Sequence, residues 1–199
     1  MLNENYITLA GEVTFFRFFE PNGKEYTNCW IKINTQYSTV LAEVGVSKKD
    51  LQGRVLPAMR KILEGDGKKY ALLVGQIVNK KDKEKEITRV KVSSLSSLQV
   101  YSEEISNLNH AVVSGDVEKL NSKLLVVGVN YRDVKENQWK KRKIPVVLPA
   151  PGSEEFNLLH RNALDRLSKA KNVIVVGKVN SKLPNGEELT NIVPNMITS

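Results

Sequence analysis

Hydrophobic and polar positions alternate along much of the chain with the two-residue period of a β-strand. From Tyr26 to Asn34, Cys29, Ile31 and Ile33 fall on one face and Trp30, Lys32 and Asn34 on the other. A strand at Tyr6 to Phe16 precedes it, and Pro21-Asn22-Gly23 between them is a hairpin signal, because Asn and Gly accept positive φ at little cost. Ser38 to Val46 reads as a third strand. The period then changes: Met59, Ile62 and Leu63 give a helix over Pro57 to Glu64, with the proline in the first turn and Gly65-Asp66-Gly67 ending it. Strands at Tyr70 to Val78 and Ile87 to Ser93 follow, separated by a charged loop, Asn79 to Glu86, and trailed by a tail to Tyr101.

The second half repeats this order. Tyr6-Ile-Thr-Leu-Ala-Gly11-Glu-Val13 is similar to His110-Ala-Val-Val-Ser-Gly115-Asp-Val117, with the glycines 104 positions apart (115 − 11). Ala71-Leu-Leu-Val-Gly75 is similar to Val173-Ile-Val-Val-Gly177, at an offset of 102 (177 − 75). Two matches at nearly one offset indicate an internal repeat. The repeated elements are strands at Ala111 to Lys119, Lys123 to Tyr131 and Trp139 to Leu148, a helix at Phe156 to Lys169 with Leu159, Ala163 and Leu167 at helical spacing and Ser153 as N-cap, then strands at Asn172 to Asn180 and Glu188 to Met196. The turn Leu183 to Glu187 between the last two holds Pro-Asn-Gly.

Three strands, a helix and two strands is the order of an OB-fold. The expected class is therefore mainly β: two tandem OB-folds, each a five-stranded Greek-key barrel with a helix between strands three and four. A generic β-sandwich would not need that helix. A glycine inside a strand suits the sharp coiling of a strand shared by both sides of a barrel. The expected domains are 1–101 and 110–199, with a short linker at 102–109.

Charge bears on the class of partner. Lys plus Arg number 30 against 22 Asp plus Glu in 199 residues, a net charge of +8 and a pI near 9.5, an excess that suits a polyanionic partner, though net charge alone weighs that reading and a merely soluble basic protein about evenly. The hydrophobic fraction of 41% supports a packed core. Cys29 is the one cysteine, so no intrachain disulfide and no cysteine-based zinc cluster is available, as suits a reducing, cytoplasmic setting. No signal peptide and no membrane-spanning run is read in the chain. His110 and His160 stand alone, and no Walker loop, nucleophile elbow or paired-carboxylate motif is present. The expectation is a protein without catalysis, cofactor or metal.

Aromatic residues beside cations on strand faces mark the candidate site, since non-specific single-strand binding needs stacking platforms in a cationic groove. In the first half these are Trp30 and Lys32, with Arg17 and Tyr26 nearby. Phe15 to Phe19 are assigned mainly to the interior, because alternation turns some of them inward. In the second half they are Tyr131 and Arg132, then Trp139, Lys141, Arg142 and Lys143. A solvated hairpin tip is the alternative reading of that basic run. Lys80 and Lys81 in the charged loop are weaker candidates for phosphate contact.

Gly11-Glu-Val13-Thr14, Phe18-Phe19-Glu-Pro21-Asn22-Gly23-Lys24, Asn28-Cys-Trp-Ile-Lys-Ile33 and Gly65-Asp-Gly-Lys-Lys-Tyr-Ala-Leu-Leu-Val-Gly75 resemble the bacterial single-stranded-DNA-binding proteins. The resemblance covers roughly the first half and reaches the second through the repeat. It implies sequence-independent binding of single-stranded DNA in replication, recombination or repair, and a homodimer presenting four OB-folds or a higher oligomer. Two family features are missing: Ser38 to Val46 holds no aromatic residue, and Pro194 to Ser199 holds no acid where the family often has an acidic tail. An accessory, protein-interacting OB-fold subunit is thus a second reading, and RNA binding a third.

Overall fold

The computed structural model describes residues 3–19, 27–46, 50, 54–82, 85–150, 152–154, 167, 169–182 and 188–199. The strands are β1 (Asn5–Phe19), β2 (Thr27–Asn34), β3 (Thr39–Val46), β4 (Tyr70–Asp82), β5 (Lys85–Val92), β6 (Leu98–Tyr101), β7 (Leu108–Leu120), β8 (Leu124–Asp133), β9 (Gln138–Val147), β10 (Asn172–Lys182) and β11 (Glu188–Thr198); helix α1 (Val55–Glu64) lies between β3 and β4. The chain forms two compact units. An N-terminal unit comprises Ile7–Gln76 and Arg89–Asn109, and a C-terminal unit comprises Met1–Tyr6, Ile77–Thr88 and His110–Ser199.

In the N-terminal unit the strand order is β1-β2-β3-β5-β4, closed by a second pairing of β1 with β4. The β3–β5 pair is parallel and the β1–β2, β2–β3 and β1–β4 pairs antiparallel. The C-terminal unit has the order β7-β8-β9-β11-β10, closed by β10 on β7, with β9–β11 parallel. Both are the closed barrel order of an OB-fold. Alternation explains the cores: Ile7, Leu9, Cys29, Ile31, Ile33, Val40, Ala42 and Leu73 are fully buried in one, and Val113, Leu125, Val127, Ile144, Val146 and Ile192 in the other. Burying each larger aliphatic side chain contributes about 1.5–3 kcal/mol.

The repeated glycines have a steric cause. A Cβ on Gly11 would lie 2.2 Å from the carbonyl oxygen of Asn34, and one on Gly115 2.2 Å from that of Gly128. Gly75 and Gly177 meet the Lys91 and Val193 carbonyls at 2.6 and 2.3 Å in the same way. At all four the neighbouring strand's backbone occupies the place of a side chain. Just past the first glycine of each barrel comes a β-bulge, between Val13 and Phe15 in β1 and between Val117 and Lys119 in β7, again 104 positions apart (117 − 13).

Several elements differ from the sequence expectation. The charged loop is shorter, since Asn79 to Asp82 extends β4 and Lys85 and Glu86 open β5. The sequence there is polar throughout, so polarity alone reads as loop. The tail folds back as β6, pairing antiparallel with β4 from Tyr70↔Tyr101 to Leu73↔Leu98. Helix α1 starts at Val55, which keeps Pro57 in its first turn, and it buries Leu56, Met59 and Leu63, with Ile62 half-buried. The predicted helix over Phe156 to Lys169 lies outside the described residues apart from Leu167, which is helical and buried, and Lys169. Tyr26 and the turns Pro21-Asn22-Gly23 and Leu183 to Glu187 also lie outside them. Among the described residues no helix is long and apolar enough to cross a membrane.

Candidate nucleic-acid interface

The bulge in β1 decides which aromatic residues face outward. Before it, odd positions point into the barrel, as Ile7, Leu9 and Gly11 do. Thr14 is the extra residue, and each residue after it is shifted by one. Phe16 then pairs with the buried Ile31 and Phe18 with the buried Cys29, on the inward side. Phe15 pairs with Lys32, Arg17 with Trp30, and Phe19 with Asn28, on the outward side.

These outward residues make two sets of contacts on one strand face. The Arg17 guanidinium lies 4.9 Å from the Phe19 ring centre, and Phe19 meets Trp30 edge to face at 6.0 Å. Arg89 of β5 lies 4.5 Å over the Trp30 ring, and Lys32 Nζ 5.9 Å from the Phe15 ring. Phe15 is 43% and Phe19 37% exposed, and Trp30 is half-buried. Each cation–π contact contributes about 0.5–1 kcal/mol at such exposure and holds a ring in place. Arg17, Lys32, Arg89 and Lys91 set four positive charges on these strand faces, with Glu43 the carboxylate opposite Trp30 in β3. On the inward side, Arg60 of α1 covers Phe18 at 4.6 Å, and Phe16 meets Phe18 edge to face at 6.2 Å. Cys29, directly behind Trp30, is fully buried, and burial pushes its thiol up to about 12, with hydrogen bonding to the Arg17 backbone and the Arg60 charge opposing.

The C-terminal unit extends a different hairpin. Its β7–β8 connection is short, closing at Leu120↔Leu125 with Asn121 N–H donating to the Leu124 carbonyl. Its β8–β9 hairpin runs out to Asp133↔Gln138, whereas β2–β3 in the N-terminal unit closes at Asn34↔Thr39. Trp30 and Trp139 therefore do not occupy equivalent repeat positions. Trp139 pairs with Arg132, and Lys141 with Asn130, on the outward face that also carries Lys143. Tyr131 and Arg142 lie on the opposite face, with the guanidinium 4.1 Å over the tyrosine ring. Burial lowers the pKa of Arg142 and the neighbouring Tyr131 opposes that shift. Trp139 is 74% exposed. Arg132 donates to Asn137 Oδ1 at 2.6 Å, and Asn137 takes the positive φ of the turn. Asn79 brackets the Lys143 backbone, accepting from its N–H at 2.7 Å and donating to its carbonyl at 2.9 Å.

Comparison with solved structures places the barrels among known folds. The chain is similar to the wild-type single-stranded DNA binding protein from Thermus aquaticus, with a TM-score of 0.61 and 11% identity over 98% of this chain and 92% of that one. A deletion variant of that protein gives 0.60 and 10% identity over 98% and 94%. The likeness is one of fold. No protein-family model and no curated protein matches the chain by sequence.

Of the residues singled out from sequence, Trp30, Lys32 and Arg17 come together on one face, and Trp139 joins Arg132, Lys141 and Lys143 on another. Phe15, Phe19 and Arg89 were missed. Regular alternation hides the first two behind the bulge, and Arg89 reaches Trp30 only through the parallel β3–β5 pairing. No signal local to the sequence marks them, since both the bulge and the β3–β5 pairing are relations between strands.

Proposed function

We propose that the protein binds single-stranded DNA without sequence preference. Bases stack on Phe15, Phe19 and Trp30, while Arg17, Lys32 and Arg89 neutralise phosphates. The observation that carries this reading is the outward Arg17–Phe19–Trp30–Arg89 cluster, in which cations hold partly exposed rings on a strand face. Every base has a π-face, so such a platform accepts any sequence, at about 1–3 kcal/mol per stacked base. Trp139 with Arg132 supplies a second platform in the C-terminal unit. The net charge of +8 and the fold shared with the single-stranded DNA binding protein from Thermus aquaticus support the same reading.

In this reading the two barrels are diverged copies of one OB-fold, divided at residues 102–109, with matching glycines and bulges as the trace of duplication. The protein acts in DNA replication, recombination or repair as a cytoplasmic homodimer presenting four barrels. The test is tryptophan emission during titration with oligo-dT at low and moderate salt. Quenching with salt-sensitive affinity is expected. Absence of affinity at low salt overturns the proposal and leaves a protein-interaction subunit; equal competition by RNA oligomers of the same length removes the preference for DNA. Light scattering should give twice the chain mass of 22.4 kDa.

A further inference from the structure

Lys140 to Lys143 is the densest basic run in the chain, yet the folded hairpin does not present it as one. Lys141 Nζ lies 2.9 Å from Asp116 Oδ2 and 2.6 Å from Glu118 Oε1. Lys140 Nζ lies 2.9 Å from Asp133 Oδ2 and 2.8 Å from Glu136 Oε2. Each lysine sits between two carboxylates, so each triad carries a net charge of −1. Arg132, Lys135, Arg142 and Lys143 add four positive charges, so the hairpin together with Asp116 and Glu118 sums to +2. The paired carboxylates lie within 3 Å of each ammonium, far inside the Debye length of about 8 Å at physiological salt, so an approaching phosphate meets the sum of each triad and not the single ammonium.

The pairing is built into the barrel. Glu118 is the extra residue of the β7 bulge, and Lys141 and Glu118 lie across Gly128. A Cβ there would stand 2.7 Å from both Glu118 Cγ and Lys141 Cδ. Asp133 also fixes the turn, because its Oδ1 accepts from the N–H groups of Lys135 at 3.0 Å and Glu136 at 3.3 Å. Its carboxyl is held below the usual range, chiefly by the Lys140 hydrogen bond. The braced hairpin leaves Trp139 exposed, and among the described residues no ring or cation covers it. Lys143 is exposed and pairs with no carboxylate among those residues.

Resting on the single-stranded-DNA reading, we propose that this hairpin contributes base stacking through Trp139 and one phosphate contact through Lys143, while Asp116, Glu118, Asp133 and Glu136 withhold Lys140 and Lys141 from phosphate. The hairpin is thus a stacking hook whose basic run is largely offset by carboxylates, unlike the cationic platform of the N-terminal unit.

The test is titration of the full chain with fluorescein-labelled oligo-dT at five salt concentrations, plotted as log affinity against log salt. Each lost phosphate contact flattens the slope by about 0.7. Lys143→Gln should flatten it by that amount and Lys141→Gln should not. Asp116→Asn with Glu118→Gln, which releases Lys141, should steepen it by about 0.7 and tighten binding at low salt. Trp139→Ala should weaken binding roughly 5- to 150-fold at every salt without changing the slope. If Lys141→Gln flattens the slope as Lys143→Gln does, or Trp139→Ala leaves affinity unchanged, this inference is overturned while DNA binding stands. If the wild-type chain does not bind at low salt, both readings fall. Should the double variant not fold, the comparison of the two lysine variants decides by itself.

Discussion

Replacing Trp30 with Ala tests the N-terminal platform most directly. The substitution removes one stacking surface, for a loss of about 1–3 kcal/mol in single-strand binding, or roughly 5- to 150-fold in affinity. It also removes the Phe19 edge contact at 6.0 Å and the Arg89 contact at 4.5 Å. Those losses fall on the outward face. The core neighbours Cys29 and Ile31 point the other way and are fully buried, so the barrel opens no cavity. The stability cost should stay near 1 kcal/mol, which lowers Tm by about 2–4 °C in a chain of this size. Trp30→Phe keeps a ring beside Phe19 and should recover most of the affinity. The assay is anisotropy of labelled oligo-dT at several salt concentrations, with thermal melts of the same preparations. Affinity within twofold of wild type, with the fold intact, would refute the assignment of Trp30 as a stacking residue. A drop in Tm well beyond 4 °C would refute the placement of its energetics on the outer face.

Other outcomes are expected from the same structure. Gly11→Ala forces a Cβ to within 2.2 Å of the Asn34 carbonyl, so β1 and β2 must separate; urea unfolding should show a loss of about 1–3 kcal/mol or more. Asn5 accepts from the Ile77 N–H at 2.9 Å and donates to the Ile77 carbonyl at 2.6 Å, both buried. Asn5→Ala strands that peptide without partners and should lower the urea-derived stability by about 2–3 kcal/mol, and an unchanged midpoint would contradict the bracketing role. Burial raises the Cys29 pKa to about 12, so the thiol stays protonated, and unreactive, well above the pH at which a free cysteine ionises. A thiol reagent at pH 8 should therefore react only as fast as the chain unfolds, and rapid labelling of the native protein would contradict the burial.

Much of the fold was legible before folding. The two-residue period named the strands, the change to a helical period named α1, and glycines at a common offset marked β1, β4, β7 and β10 as strands in close contact with a neighbour's backbone. Each depends on neighbours in sequence or on a backbone contact that only glycine allows, so the chain by itself determines it. The facing of the aromatic residues was not legible. One extra residue, Thr14, reverses every side chain after it, and a bulge is a relation between two strands. Nor was the charge of the second hairpin. Lys140 to Lys143 read as four cations because the carboxylates opposing Lys141 lie 25 and 23 residues away, on β7. Arg89 reaches Trp30 only across the parallel β3–β5 pairing. Alternation and turn chemistry are local, so sequence determines them; net charge and aromatic exposure at a surface are sums over strands that meet only in the tertiary structure.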